Sequence, residues 1–202
     1  MLRTPSLLFL TALLFSACAE LDPRSFGGTA YVGGFHSHHL HAPRARLGHV
    51  DRISYWDGHR VSGKPSIRIC LRAQRAYFYK GGRLVGVSVI SSGREGFDTR
   101  TGNFKIIQKS KDHVSSRFGD YVDRDGHIIQ KEIDRDVNPL PKGAIYDGAR
   151  MPFFMRIVGG TGMHEGFLPG YAASHGCIRM PGFMAATFFQ NVEVGTPVTV
   201  TD

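Results

Sequence analysis

The chain reads as mainly β, a sheet or sandwich rather than alternating βαβ units, and three observations carry that expectation. Runs rich in β-branched and aromatic residues recur with turn residues between them, only one segment has helical spacing, and the chain closes on a further β-rich run. Taken in order, Ser66–Leu71 opens the domain with the alternation Ile67-Arg-Ile69. Arg75–Lys80 and Leu84–Ser91 follow, joined through Gly81-Gly82 as a tight hairpin, so the three runs form a β-meander. Asn103–Lys109 is expected as a strand after a Thr-Gly turn, Phe153–Val158 as another, and Gly195–Val200 as a short closing strand. The helix is expected over Gly182–Asn191, where Phe183, Ala186, Thr187 and Gln190 recur at helical spacing behind Pro181.

Between Ser110 and Arg150 the pattern changes. Asp112, His113, Asp120, Asp123, Asp125, His127, Asp134 and Asp136 crowd a polar stretch without a sustained apolar period, which reads as a long inserted loop. It either decorates the sheet or forms a lid over a functional site.

With 202 residues and 42% hydrophobic content, the chain has material for one domain with a substantial core and an appended segment. Residues 1–17 read as an export signal: Arg3 precedes the apolar run Leu7–Phe15, which is short for a membrane span. Phe15-Ser-Ala-Cys18 resembles a bacterial lipobox with Phe at its first position, making Cys18 a lipidation candidate, with ordinary cleavage near Ala19 as the alternative. Both routes place the protein outside the cytoplasm, in the periplasm or cell envelope. A lipid at Cys18 would attach it to a membrane without a spanning segment. Residues 18–65 are rich in Gly, His, Arg and Ser and read as tether and lead-in, leaving 66–202 as the globular domain. Within the lead-in, His36-Ser-His-His-Leu-His41 reads as a solvated polar tract and Trp56 as a core or docking aromatic.

The formal charge of +8 suits an anionic polymer. Export and the lack of a Lys/Arg stripe with interleaved aromatics argue against nucleic acid. After Cys18, only Cys70 and Cys177 remain. Cys70 sits in the strand pattern of Ile67–Leu71, where a small buried apolar residue is unremarkable, so Cys177 is expected as a free thiol.

The segment Met163–Met180 concentrates the chemistry. It brings Cys177, His164, His175 and Arg179 together with flexible glycines, which is the equipment of a cysteine acyl-transfer site. A thiol is scarcely ionised at neutral pH, so it needs a neighbour to take its proton. His164 can reach it from an adjacent strand end, and His175 can touch either the sulfur or the substrate if the segment is extended. Peptide N–H groups around Gly176 can face a developing oxyanion. A zinc site using His164, His175 and Cys177 is the other sharp option, but the spacing fits no usual motif and no fourth ligand is evident, so no metal or other cofactor is expected.

Ser174-His-Gly-Cys-Ile-Arg179, with His164 before it and a helix and Gly195-Thr-Pro-Val-Thr-Val200 after it, resembles the catalytic domain of the L,D-transpeptidases, the YkuD family. Ile67–Gly82 with Gln74, Tyr77 and Tyr79 resembles the family's first hairpin, and Ser91-Ser-Gly93 with Thr101-Gly-Asn-Phe104 resembles its turn-and-strand signature, for coverage of about Ser66 to Val200. Two departures are Thr99-Arg-Thr-Gly102, where Thr-Pro-Thr-Gly is common, and a short His164-to-Ser174 interval. The resemblance implies a β-rich fold in which the Cys177 thiol attacks the carbonyl of the third residue of a peptidoglycan stem, usually diaminopimelate, and releases D-Ala. An amine from another stem, or from a protein to be anchored to the wall, then resolves the thioester. It further implies His164 as general base and acid, oriented by a backbone carbonyl; backbone N–H groups near His175, Gly176 and Cys177 as the oxyanion site; Ser174 and His175 as pocket-shaping residues; and Arg179 as a substrate-carboxylate or loop-holding group. A thiol hydrolase of wall peptides and a non-catalytic wall-binding module are the rival readings.

Overall fold

A computed structural model describes residues 51–202; the expectations for residues 1–50, including the signal segment, Cys18 and the His36–His41 tract, lie outside them. The elements are β1 (Tyr55–Trp56), a 3-10 turn (Gly58–Arg60), β2 (Pro65–Cys70), β3 (Arg75–Lys80), β4 (Arg83–Val89), β5 (Gly102–Lys105), β6 (Gln108–Val122), β7 (Ile128–Asp134), β8 (Ile145–Val158), β9 (Thr161–Glu165), β10 (Ile178–Met180), α1 (Gly182–Asn191) and β11 (Pro197–Thr201). The fold is mainly β, as expected. One sheet has the order β1-β4-β3-β2-β11-β5 and the other β10-β9-β8-β6-β7.

Alternation along the strands builds the core. Ile67, Ile69, Ala76, Phe78 and Val85 of the first sheet pack with Met155, Ile157, Met163, Ile178 and Met180 of the second, and α1 adds Met184, Ala185 and Phe188. The 2–3–4 meander and α1 lie where the sequence places them. The closing strand β11 pairs in parallel with β2, Val198 opposite Ile67, and antiparallel with β5.

Asn103–Lys109, expected as one strand, is two. Ile106 is fully buried and donates its N–H to the Thr196 carbonyl, while Ile107 donates to Arg156, so the chain leaves one sheet and enters the other at this point. The stretch from Ser110 to Arg150, expected as a long loop, is mostly strand: the outer parts of β6 and β8 with β7 make a β-ribbon that extends beyond the core. Its ladder satisfies the backbone while most side chains face water on both sides, which explains the missing apolar period.

Residues 51–65, assigned from sequence to the lead-in, carry β1, which pairs with β4. Trp56 packs edge-on against Phe78 at 5.0 Å between ring centroids and tilted against Phe188 at 6.4 Å. Two glycines make room for it, since a Cβ would come within 2.6 Å of the indole at Gly86 and 2.4 Å at Gly58. Trp56→Ala is therefore expected to destabilise the domain by about 3 kcal/mol, read as a lowered denaturant midpoint at unchanged slope. Among the described residues, no helix is long and apolar enough to cross a membrane.

Candidate active site

The second sheet delivers the candidate side chains to one face. β9 and β10 run parallel, with Ile178 level with Met163 and Arg179 level with His164. Met163, Ile178 and Met180 point into the core, so by alternation His164, Arg179 and the preceding Cys177 share the opposite face. Cys70 is fully buried, and both cysteines are free.

The sulfur of half-buried Cys177 lies 3.7 Å from the Gly160 carbonyl, and the Gly162 N–H donates to it. Burial pushes the thiol up from its ordinary value near 9, against the pull of the Gly162 N–H and of Arg179 and Arg156. His164 is buried, and its Nδ1 stands 2.6 Å from the Glu165 carbonyl. That contact makes Nδ1 the donor and leaves Nε2 as the basic nitrogen. Burial lowers its pKa to about 4; Arg179 and His113 contribute, and the Glu165 bond opposes. The resting site thus holds a neutral thiol and a neutral imidazole.

Ser174 fastens the turn that presents the cysteine. Its Oγ accepts from the Gly176 N–H at 3.1 Å and donates to the Cys177 carbonyl at 2.5 Å. Gly176 has φ +101°, open to glycine, and the Thr99 hydroxyl donates to its carbonyl. With the Gly176 N–H taken by Ser174, the N–H groups of His175 and Cys177 are the ones in this turn without a protein acceptor among the described residues.

The left-handed Gly176 interrupts the extended backbone that would align His175 with Cys177 two residues on. His175 Nε2 accepts from Arg94 Nη2 at 2.8 Å, and its ring lies between Phe118, stacked at 4.6 Å, and the edge of Phe97 at 4.7 Å. Arg94 donates, so Nε2 carries no proton; burial and then Arg94 lower its pKa. Phe118 belongs to the ribbon, which therefore reaches the cysteine turn and walls the site. Arg117 pairs with Asp134 at 2.7 Å and Asp136 at 2.9 Å, and the Tyr146 hydroxyl lies 2.8 Å from the Ser115 and Phe118 carbonyls, bracing that wall.

Sequence reasoning singled out Ser91–Gly93 but not its task. Ser91 bridges to Arg179 and Gly93 to Ser174, Ser92 accepts from the Ala173 and Ser174 N–H groups, and Ser91 Oγ donates to the Tyr171 carbonyl. This short strip fixes the whole cysteine segment. Gln74, held at φ +51°, clamps the strip in turn through Ser92. Among the described residues, His164, His175 and Cys177 do not converge as metal ligands; Asp123, Asp125 and His127 do, on an exposed turn that Asp123 closes by accepting the Asp125 and His127 N–H groups.

Residues 64–200 match the YkuD family, the L,D-transpeptidase catalytic domain. The chain belongs to that family. Solved members of the L,D-transpeptidases share its fold. One from Mycobacterium smegmatis is 19% identical with a TM-score of 0.54, covering 69% of this chain and 59% of its own. One from Enterococcus faecium is 24% identical with a TM-score of 0.50, covering 69% of this chain and 50% of its own. The E. faecium catalytic domain alone, 24% identical with a TM-score of 0.50, is covered over 97% of its length for 68% of this chain. The chain thus spans only 50–59% of the longer relatives. No curated protein matches it significantly.

Proposed function

We propose that this YkuD-family domain is an exported L,D-transpeptidase that forms an acyl-enzyme at Cys177. The observation that carries the proposal is the half-buried thiol on one strand face with a buried, neutral His164 whose Nδ1 is fixed on a backbone carbonyl. Binding of the donor excludes water between sulfur and ring, and the thiol turns from the Gly160 carbonyl toward Nε2 of His164. The sulfur bonds to the carbonyl carbon of the third stem residue while its proton passes to Nε2. The oxyanion is met by the N–H groups of Cys177 and His175. Breaking the carbon–nitrogen bond, with the proton delivered from Nε2, expels D-Ala and leaves a thioester. An acceptor amine then attacks that carbon, gives its surplus proton to Nε2, and the departing sulfur recovers it. Arg179 holds a substrate carboxylate, and Ser174 and His175 shape the pocket.

The peptidoglycan stem is the donor, and the acceptor is a second stem or a protein amine. Cys18 lipidation would hold the enzyme at a membrane face. The ribbon wall favours transfer over hydrolysis, because it covers one side of the site through Phe118 and limits water. Incubation with a disaccharide tetrapeptide, read by mass spectrometry, tests this. A cross-linked dimer that has lost D-Ala is expected; free tripeptide alone would show a hydrolase, and no turnover would favour a binding module.

A further inference from the structure

Arg156 stands in a row with the thiol. On β8 it is level with Gly162 of β9, and the Gly162 N–H reaches the Cys177 sulfur. Alternation puts Arg156 on the face of Phe154 and opposite to that of buried Met155, which is the face bearing His164 and Cys177. The Phe154 ring packs over Gly162, and the turn from β8 to β9 links the two groups: Arg156 donates to the Gly159 carbonyl, and the Cys177 sulfur lies 3.7 Å from the next carbonyl, that of Gly160. Adjacent strands are about 4.8 Å apart, which puts the Arg156 and Cys177 backbones roughly 10 Å from each other. An arginine side chain plus a small anionic group bridges that span.

The guanidinium is held in place by neutral partners. Nε donates to Gln108 Oε1 at 2.7 Å, Nη1 donates to the Gly159 carbonyl at 2.6 Å, and the group lies 5.1 Å from the centre of the Phe154 ring. Among the described residues no carboxylate comes within ion-pair distance of Arg156 or Arg179. The thiol therefore feels two guanidinium groups, Arg179, on which the Glu132 charge also acts, and Arg156, fixed by neutral partners with no carboxylate at ion-pair distance, an arrangement that favours an anion beside Arg156. They stand at different levels. Arg179 is level with His164, where the leaving amine must be protonated; Arg156 is level with the sulfur, away from that end.

We propose that Arg156 binds a carboxylate on the side chain of the acyl-donor residue, so that the enzyme discriminates a free side-chain carboxylate from its amide. The proposal rests on the acyl-transfer function above, and its test separates the two. Wild type, Arg156→Gln and Arg156→Lys would each be given a tetrapeptide with the free acid and one with that carboxyl amidated. In parallel, Cys177 alkylation would be timed with iodoacetate and with iodoacetamide, whose rate ratio reports the field at the sulfur independently of turnover and of thiol ionisation. Wild type is expected to favour the free acid by roughly tenfold or more in kcat/KM, and Arg156→Gln to lose that preference. The iodoacetate-to-iodoacetamide ratio should fall several-fold in Arg156→Gln and recover in Arg156→Lys. An unchanged ratio together with undiminished discrimination in Arg156→Gln overturns the proposal and leaves the transpeptidase function standing. Turnover of neither peptide by wild type, with the ratio still falling, overturns the transpeptidase function and supports Arg156 as an anion contact.

Discussion

Cys177→Ala is expected to lower acyl transfer by on the order of 10^4-fold or more, while Cys70→Ala leaves it within about twofold. The contrast follows from placement. Cys177 is half-buried on the face that carries His164 and Arg179, and its sulfur accepts a backbone N–H poised to stabilise a thiolate. Cys70 is completely buried beside Tyr77 and Val87, with its sulfur 3.4 Å from the Asp202 carbonyl, so no substrate reaches it. Ala at position 177 keeps the turn, because Ser174 binds the Gly176 N–H and the Cys177 carbonyl and neither involves the side chain. Steady-state kinetics with a matched melting temperature would separate lost chemistry from lost fold. Transfer in Cys177→Ala above about a hundredth of wild type would rule out the thiol as nucleophile.

His164→Gln is expected to slow acylation by roughly 10^2- to 10^4-fold and to remove the acid limb of the pH profile. Burial holds the imidazole neutral down to about pH 4, so kcat/KM for wild type should stay level from pH 5 to 8 and decline as pH falls through 4. A limb near 6.5 instead would mean an exposed base. Stability carries the same signature. The folded pKa of about 4 lies below the ordinary 6.5, so the unfolded chain takes up a proton that the folded one refuses. Stability is then lost as pH falls from 6.5 to 4, by roughly 3 kcal/mol in all, and urea melts of His164→Gln should lack this component.

The legible parts of the fold are those where one rule dominates. The Gly81-Gly82 turn joins β3 to β4 where turn chemistry places it, and α1 spans the expected residues, although the face it buries carries Met184, Ala185 and Phe188 while Phe183 and Gln190, which marked its spacing, are exposed. Cys177, His164 and Arg179 were legible as a chemical cluster, and parallel pairing of β9 with β10 brings them to one face. The ribbon was not, because a strand wet on both sides has no reason to alternate. A signal was nevertheless present: Asp125-Gly126 stands between Tyr121-Val122 and Ile128-Ile129, the short-range mark of a hairpin. The position of His175 needed the left-handed Gly176, and the wall it forms with Phe118 needed a long-range approach that spacing along one chain does not encode. The bracing role of Ser91–Gly93 is of the same kind, since it lies in backbone hydrogen bonds available to any sequence.

The acyl-enzyme itself is the most direct test. Mixed with a disaccharide tetrapeptide in the absence of an acceptor amine and quenched in acid, the protein should gain the mass of the stem lacking its terminal D-Ala, and fragmentation should place that mass on the peptide containing Cys177. The same gain in mass on any other residue, or turnover with no adduct at the shortest quench times, would contradict covalent catalysis by Cys177.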